Sequence, residues 1–222
     1  MYSLYEFDRQ LRLLLLSQLE IIEVSFRTSI AYHFAHKYGA LGYLEVDNYI
    51  NEKYFEDMKF QLRKEINRSK EVFVSHHHDK YDGVFPIWVA IEVTSFSLLS
   101  KIYSNIKGVA QSSIARSYAN NKEYIKNWLY ALSTVRNICA HHGRLYNRYI
   151  PIHFKLSKDD KNNGISGKTV FGAIYVMGKI SQDERIWKSF IKKLSALIKE
   201  YNIVDLHKIG FPKDWEEKLR KI

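Results

Sequence analysis

Chemically capable side chains are densest in the segment VRNICAHHGRLYNRY, residues 135–149. It holds two histidines, three arginines and two asparagines. Histidine can take up or release a proton near neutral pH, arginine offers phosphate oxygens a charged planar fork, and an amide can orient either group. These side chains suit the cleavage of RNA without a metal. That reaction needs a base for the 2′-hydroxyl, an acid for the leaving 5′-oxygen and a cation beside the phosphorus.

If this segment is helical, its polar residues form a stripe, because residues three and four apart share a face. The stripe comprises Asn137, His141, Arg144 and Arg148. The opposite face, which we expect to pack on the core, carries Val135, Ile138, His142 and Leu145. Arg136 and His141 are about 140° apart on a helix. They meet at one phosphate only if the arginine leans across Asn137, the helix is distorted, or a partner subunit supplies one of them.

Several residues of the segment have a structural interpretation beside the functional one. The whole stripe can be a solvated cationic face with His142 packed in the core. Arg144 and Tyr146 can contact RNA or serve the fold, and tyrosines among arginines, such as Tyr149, can stack on bases. Cys139 is expected to be a small buried residue, because no histidine and carboxylate pattern marks it as a nucleophile.

Long helices are expected to position this segment, because only three prolines and ten glycines interrupt the 222 residues. Apolar residues recur at helical spacing over 3–38, with Arg9, Arg12, Glu20, Glu23 and Arg27 on another face. Further helices are predicted at about 47–70, 86–107, 120–149 (one helix or a pair), 169–180 and 183–201. A polar loop is predicted at 75–83, another loop at 158–168, and a C-terminal cap at 202–222. We therefore predict one all-α domain over 1–222, a helical bundle with a long N-terminal helix and additional C-terminal helices.

The formal net charge of +10 favours a polyanionic partner, nucleic acid before an anionic membrane surface. A hydrophobic fraction of 46% is ordinary for a soluble globular protein, and a core of useful size can be buried without a staple. A single cysteine excludes an internal disulfide framework and fits a reducing compartment. The apolar run LRLLLL at 11–16 is too short and too closely flanked by charges to span a bilayer. We therefore expect a cytoplasmic protein with no membrane partner.

The run RNICAH at 136–141 resembles the R-x4-6-H signature of the HEPN superfamily, with a polar residue after the arginine. Its extended form, RNICAHHGRLYNR, is similar to the Abi-2 (AbiD/AbiF-like) abortive-infection family. Three more stretches resemble that family in the expected order, at 4–28, 88–106 and 210–216. Members often carry a further N-terminal segment, which is missing here, so we expect a shortened member.

The resemblance implies a HEPN-like helical bundle that forms a homodimer, in which two motifs build a composite ribonuclease cleft. Arg136 and His141 would be the catalytic pair and Asn137 the polar helper. Cleavage would need no metal or other cofactor and would leave a 2′,3′-cyclic phosphate. The role would be phage defence by abortive infection, or that of a toxin. RNA is the expected partner, and a noncoding RNA or an antitoxin is a further candidate. The candidates for RNA binding or support of the site are His142, Arg144, Tyr146 and Arg148.

The short signature is weak by itself, because residues 27–33, from Arg27 to His33, also match it. This second match lies inside the predicted first helix and lacks the HHGRLYN continuation. Arg27 is interpreted as the ion-pair partner of Glu23, four residues earlier. A contribution of this pair to the cleft is left open.

The consecutive histidines His76, His77 and His78, followed by Asp79, could suggest a metal site. Three successive side chains of a regular element cannot all point at one ion, so a flexible loop is the preferred interpretation.

Two rival functions stand beside the ribonuclease. One is a non-catalytic RNA-binding or regulatory HEPN protein, and the other is a helical interaction module whose charge is incidental.

Overall fold

The structure, a computed structural model, describes residues 2–222. Throughout that part of the chain the regular structure is helical and no strand forms. Strand-like pairing is limited to one isolated antiparallel bridge between Tyr49 and Ile106. The predicted all-α class is therefore confirmed.

The helices fall into two compact units. In chain order they are α1 (Tyr2–Tyr38), α2 (Glu52–Arg68), α3 (Val72–Lys80), α4 (Ile87–Ala90), α5 (Phe96–Asn105), α6 (Gly108–Ser117), α7 (Lys122–Ala140), α8 (Lys158–Asn162), α9 (Val170–Ile180), α10 (Glu184–Glu200) and α11 (Trp215–Arg220). The first unit contains the described residues up to Ile22 together with Asn127–Ile222, and the second contains Glu23–Lys126. The boundaries lie within α1 and α7. The single domain over 1–222 stays a prediction.

The long first helix has the predicted extent. Its apolar residues at spacings of three and four are almost fully buried: Leu11, Leu15, Leu19, Ile22, Phe26 and Ile30. The helix ends where Gly39 adopts a left-handed conformation (φ 81°) and donates its N–H to the carbonyl of Ala35. Glycine is favoured there because it has no Cβ to clash in that conformation.

In the first unit, α7 holds the extended chain that follows the arginine-rich segment. The side-chain amide of Asn127 donates to the carbonyl of His153 at 3.0 Å and accepts the N–H of Lys155 at 2.6 Å. The indole of Trp128 donates to the carbonyl of Lys155 at 2.7 Å. Because these bonds satisfy the backbone of a segment without regular structure, residues 153–155 have a defined place beside α7.

The predicted C-terminal helices and cap are present in the same unit. Helices α9 and α10 match the predictions at 169–180 and 183–201 to within a residue at each end. Residues 202–222 form a 3-10 turn and α11, and the indole of Trp187 donates to the carbonyl of Leu219 at 3.0 Å. The predicted loop at 158–168 is corrected. Its first residues form α8, capped by Ser157 and the carboxylate of Asp160.

In the second unit, the helix predicted over 86–107 is broken near its middle. Helix α4 ends at Ala90 and α5 begins at Phe96. Between them the carbonyl of Thr94 accepts a bond from Arg27 at 2.7 Å. The carboxylate of Glu65 accepts both the N–H and the hydroxyl of Ser95, at 2.8 and 2.9 Å. These distant partners stabilise the backbone groups that a continuous helix would have paired.

Three further boundaries in this unit differ from prediction. Helix α2 begins at Glu52, because Asn51 accepts the N–H of Tyr54 as the N-cap, whereas the prediction began at 47. The polar segment 75–83 was predicted as a loop, and most of it lies in α3. Helix α6 (Gly108–Ser117) was not predicted.

Candidate active site

The three predicted catalytic residues lie together at the C-terminal end of α7. Arg136 and Asn137 belong to its last turn, and His141 follows it directly. The Nη1 atom of Arg136 lies 3.4 Å from Oδ1 of Asn137, so the guanidinium leans toward the face of the amide. The N–H of His141 donates to the carbonyl of Asn137 at 3.0 Å. This bond continues the helical pattern, which places exposed His141 one turn beyond Asn137 on the same face.

The chain leaves the helix immediately after His141. His142 is left-handed (φ 57°) and donates its N–H to the carbonyl of Cys139 at 3.1 Å. The N–H of Gly143 donates to the carbonyl of Ile138 at 2.7 Å. This pair of bonds is the Schellman ending of a helix. A Cβ at position 143 would lie 3.0 Å from the Ile138 carbonyl oxygen, so the close approach favours glycine.

The prediction that the helix continues through residue 149 is therefore wrong. Arg144 and Arg148 do not extend the helical face of Asn137 and His141, and Arg148 donates to the carbonyl of Arg144 at 3.1 Å. His142 is exposed, not packed on the core, because the left-handed turn carries it off the buried face. Of the predicted core-facing residues, Val135 and Leu145 are fully buried.

Tyr146 and Tyr149 have different surroundings. Tyr146 is 9% exposed and Tyr149 is 76% exposed. Of the two, only Tyr149 presents enough ring surface for a base to stack on a whole face. The structure thus favours a largely structural position for Tyr146.

A buried ion pair on α1 fixes the chain beyond the motif, and sequence reasoning did not identify it. Asp8 pairs with Arg12 one turn later, and their side chains are only 5% and 7% exposed. The Oδ1 atom of Asp8 also accepts the backbone N–H groups of Leu145 and Tyr146, at 3.0 and 2.7 Å. Removal of one partner from such a buried pair costs about 3–5 kcal/mol, because the other charge stays behind unpaired.

A sequence signal for this pair existed. Asp8 and Arg12 precede Leu15 at spacings of seven and three, which places both charges in line with the apolar stripe of α1. Arg12 was assigned to the polar face instead. A charged pair at core positions of an amphipathic helix indicates a buried network that satisfies other polar groups.

Helix α1, the end of α7 and the residues that follow α7 line a solvent-open cavity of about 610 Å³. Leucines of α1, among them Leu13 and Leu16, form an apolar wall, and the Asp8–Arg12 pair contributes charge and hydrogen-bonding groups. Across from α1 lie the last turn of α7 and the residues after it, including His142 and Arg144. The cavity therefore combines apolar surface with arginines beside the predicted motif.

Cys139 also lines this cavity, and its chemistry matches the sequence interpretation. Burial raises the pKa of its thiol to about 12. The thiol therefore stays protonated near neutral pH, which disfavours a nucleophilic role.

The Glu23–Arg27 ion pair is confirmed in the second unit. Arg27 Nη2 lies 2.6 Å from Glu23 Oε1, and the two side chains are 18% and 9% exposed. The same nitrogen donates to the carbonyl of Thr94. The pair therefore has a structural role at the break between α4 and α5, and its contribution to a cleft stays a prediction.

The consecutive histidines lie on α3, in contrast to the predicted flexible loop. His77 and His78 pack against the ring of Phe85, with centroids 5.4 and 5.1 Å away. Within residues 2–222, no group of three or more histidine, cysteine or acidic side chains is arranged to hold a metal ion. None of the helices described has the length and apolar character needed to cross a membrane.

Comparison with protein families identifies the chain. A family model described as Abi-like protein (Abi_2) matches residues 1–147, which contain the RNICAH run, its extension as far as Asn147, and the resembling stretches at 4–28 and 88–106. The stretch at 210–216 lies outside the match. No curated protein and no solved structure matches the sequence. Because the matched residues make up about two thirds of the 222, the chain belongs to the Abi-like protein family.

Proposed function

We propose that this protein is a metal-independent endoribonuclease of the HEPN type that acts in abortive-infection defence. The observation that carries the proposal is the convergence of Arg136 and Asn137, 3.4 Å apart, on the helix end that exposes His141. Membership in the Abi-like family suggests the defence role. The HEPN resemblance of the RNICAH run supplies the reaction class and its independence of metal.

The proposed reaction is an internal transfer at one phosphodiester of RNA. A base removes the 2′-hydroxyl proton, the 2′-oxygen attacks phosphorus, and the bond from phosphorus to the 5′-oxygen breaks as that oxygen takes up a proton. The products are a 2′,3′-cyclic phosphate and a 5′-hydroxyl end. His141 transfers a proton, and Arg136 stabilises the negative charge that develops on the phosphate oxygens. Asn137 holds the guanidinium close to the histidine face.

This reaction needs both an acid and a base, whereas the helix end supplies one catalytic imidazole, His141. We propose that a second copy of the chain supplies the other, in the homodimer that the family resemblance implies. An isologous dimer presents the same helix end twice around a two-fold axis, which allows two His141 side chains to face one scissile phosphate. A noncoding RNA or an antitoxin would then act on this composite cleft.

The test is cleavage of single-stranded RNA by purified protein in excess EDTA. We expect the wild type to produce fragments whose 5′ ends accept phosphate from a kinase without prior phosphatase treatment, because they end in hydroxyls. Arg136→Ala and His141→Ala should each lower the cleavage rate by about a hundredfold or more. The matched control is His33→Ala, because His33 ends the second match to the short signature.

Unchanged cleavage by His141→Ala, or cleavage abolished by EDTA, would contradict the proposal. If the wild type binds RNA but cuts none, the non-catalytic RNA-binding alternative is correct. The thermal unfolding temperature of each variant is compared with that of the wild type. Equal temperatures show that a loss of activity is not caused by a loss of folding.

A further inference from the structure

The cavity beside the motif contains arginine groups that the protein leaves available. Arg144 is exposed, lines the cavity and has no acidic partner among residues 2–222. Arg12 lines it too, and within the described part of the chain its guanidinium is bonded to Asp8 through Nη1 alone, although a guanidinium offers several N–H donors. Arg9 is different, because its Nε atom is bonded to Glu6 at 2.9 Å. A buried cation with unused donors at a cavity favours an anionic or acceptor-rich ligand.

In contrast to these charged groups, the wall of the cavity that α1 forms is apolar. Tyr5 is 62% exposed and Leu13 is 53% exposed, and both line the cavity. An aromatic ring and leucines beside arginines provide a surface on which a planar base can stack while its phosphate meets a guanidinium. A volume of about 610 Å³ is within the usual range for a small-molecule site.

The position of the cavity in the chain relates it to the proposed reaction. Cys139, Ala140 and His142 line it, so cavity residues flank His141 on both sides. His141 itself does not line the cavity, but its two chain neighbours Ala140 and His142 do. This proximity favours a unit of the same RNA over an unrelated small molecule.

We infer that this cavity is a nucleotide subsite, which holds one ribonucleotide of the RNA next to the scissile phosphate. Its base packs on Tyr5 and the leucines of α1, and its phosphate binds Arg144, with Arg12 donating to acceptors deeper in the cavity. The inference rests on the proposed function and extends it, because such a site selects where in an RNA the cut falls. Uncommitted cationic groups distinguish this occupant from an apolar segment of protein, which would leave them unpaired.

The test measures binding of the four ribonucleoside 3′-monophosphates to the His141→Ala protein by titration calorimetry. These compounds have no phosphodiester to cut, so binding is read independently of cleavage. We expect at least one to bind, and Tyr5→Ala and Arg144→Gln each to raise its Kd about tenfold. The controls are Tyr2→Ala and Arg185→Gln, which change residues that are 80% exposed and 94% exposed by side chain and lie outside the cavity lining.

The possible results separate the subsite from the proposed function. Nucleotide binding that is weakened by the cavity variants supports the subsite even if the wild type cuts no RNA, in which case the proposed function alone fails. RNA cleavage without nucleotide binding, or with binding unchanged in both cavity variants, overturns the subsite alone. If inorganic phosphate has a Kd as low as that of every nucleotide, the inferred packing of a base on Tyr5 and the leucines is wrong. If no nucleotide binds and Leu13→Asp turns a dimer into a monomer, a second copy of the chain covers this wall and the inference is wrong.

Discussion

At the residue scale, His142 has an unusual backbone conformation beside the site. It occupies the position after a helix end that glycine normally fills, with φ of 57°. A left-handed conformation costs a non-glycine residue roughly 1–2 kcal/mol. A histidine at a conformationally costly position, exposed and beside the cavity, suggests that its imidazole is retained for binding and not for folding.

We therefore predict that His142→Gly stabilises the fold while it weakens function. Relief of the left-handed strain outweighs the greater freedom of glycine in the unfolded chain, so the free energy of unfolding should rise by up to about 1 kcal/mol. Urea unfolding measures this change, and RNA binding by the same protein should weaken severalfold. Asn147→Gly is the matched control, because Asn147 is also left-handed (φ 55°) and exposed. A His142→Gly protein that is less stable than wild type would show a structural role for the imidazole.

At the element scale, a carboxylate on a short helix joins two elements beyond the family match. Asp160 belongs to α8, is 5% exposed, and accepts bonds from Tyr175 at 2.8 Å and Lys179 at 2.7 Å, both on α9. Burial opposes its ionisation, but the bonds from Lys179, Ser157 and Tyr175 outweigh this effect and lower its pKa. The charged carboxylate therefore stabilises the attachment of a helix too short to form alone.

The lowered pKa of Asp160 determines how its contribution to the free energy of unfolding changes with pH. Because the folded pKa is below the unfolded one, the contribution of Asp160 is complete above about pH 4 and is lost as pH falls through the folded pKa. Asp160→Asn should lower the free energy of unfolding by about 2 kcal/mol at pH 7. The difference from wild type should be constant at higher pH and narrow below about pH 4.

Urea unfolding of both proteins between pH 7 and pH 3 measures this difference. The neighbouring exposed residue gives a matched control, Asp159→Asn, for which we expect little change at any pH. A difference that grows as the pH falls would show that the assigned sign is wrong.

At the scale of the whole molecule, the net charge of +10 would govern how the proposed ribonuclease attracts RNA. Each phosphate that the protein neutralises releases counterions, so the affinity for single-stranded RNA falls with salt in proportion to the number of contacts. For about five contacts, the affinity should drop roughly a hundredfold between 50 and 200 mM salt. In the proposed ribonuclease the charge would favour RNA of any sequence, and the proposed nucleotide subsite would select where the cut falls.

We predict that Arg148→Gln reduces the slope of log affinity against log salt by about 0.7, the amount expected for one lost phosphate contact on a single strand. Filter binding of a mixed-sequence RNA to the His141→Ala protein measures the slope. Arg185→Gln removes the same charge from a residue outside the predicted site and should leave the slope unchanged. Equal slopes for the two variants would exclude Arg148 from the RNA-binding surface.

Much of this protein follows from its sequence. The helical class, the long first helix and the helices at 170–180 and 184–200 follow from apolar spacing, because burial of one helix face needs only local periodicity. The close grouping of Arg136, Asn137 and His141 follows from their positions within one and a half turns. The basic charge and the family motif are likewise properties of the chain itself.

Only the tertiary structure decided the features that depend on distant partners. Directly before α5 begins, Glu65 and Arg27 bind the backbone of residues 94–95, and local periodicity carries no information about bonds to residues so far away. The burial of Asp8 and Arg12 depends on two N–H groups more than a hundred residues later, which need an acceptor once they are removed from water. The turn after His141 combines a left-handed histidine with a tightly packed Gly143. This turn places His142 and Arg144 beside the cavity.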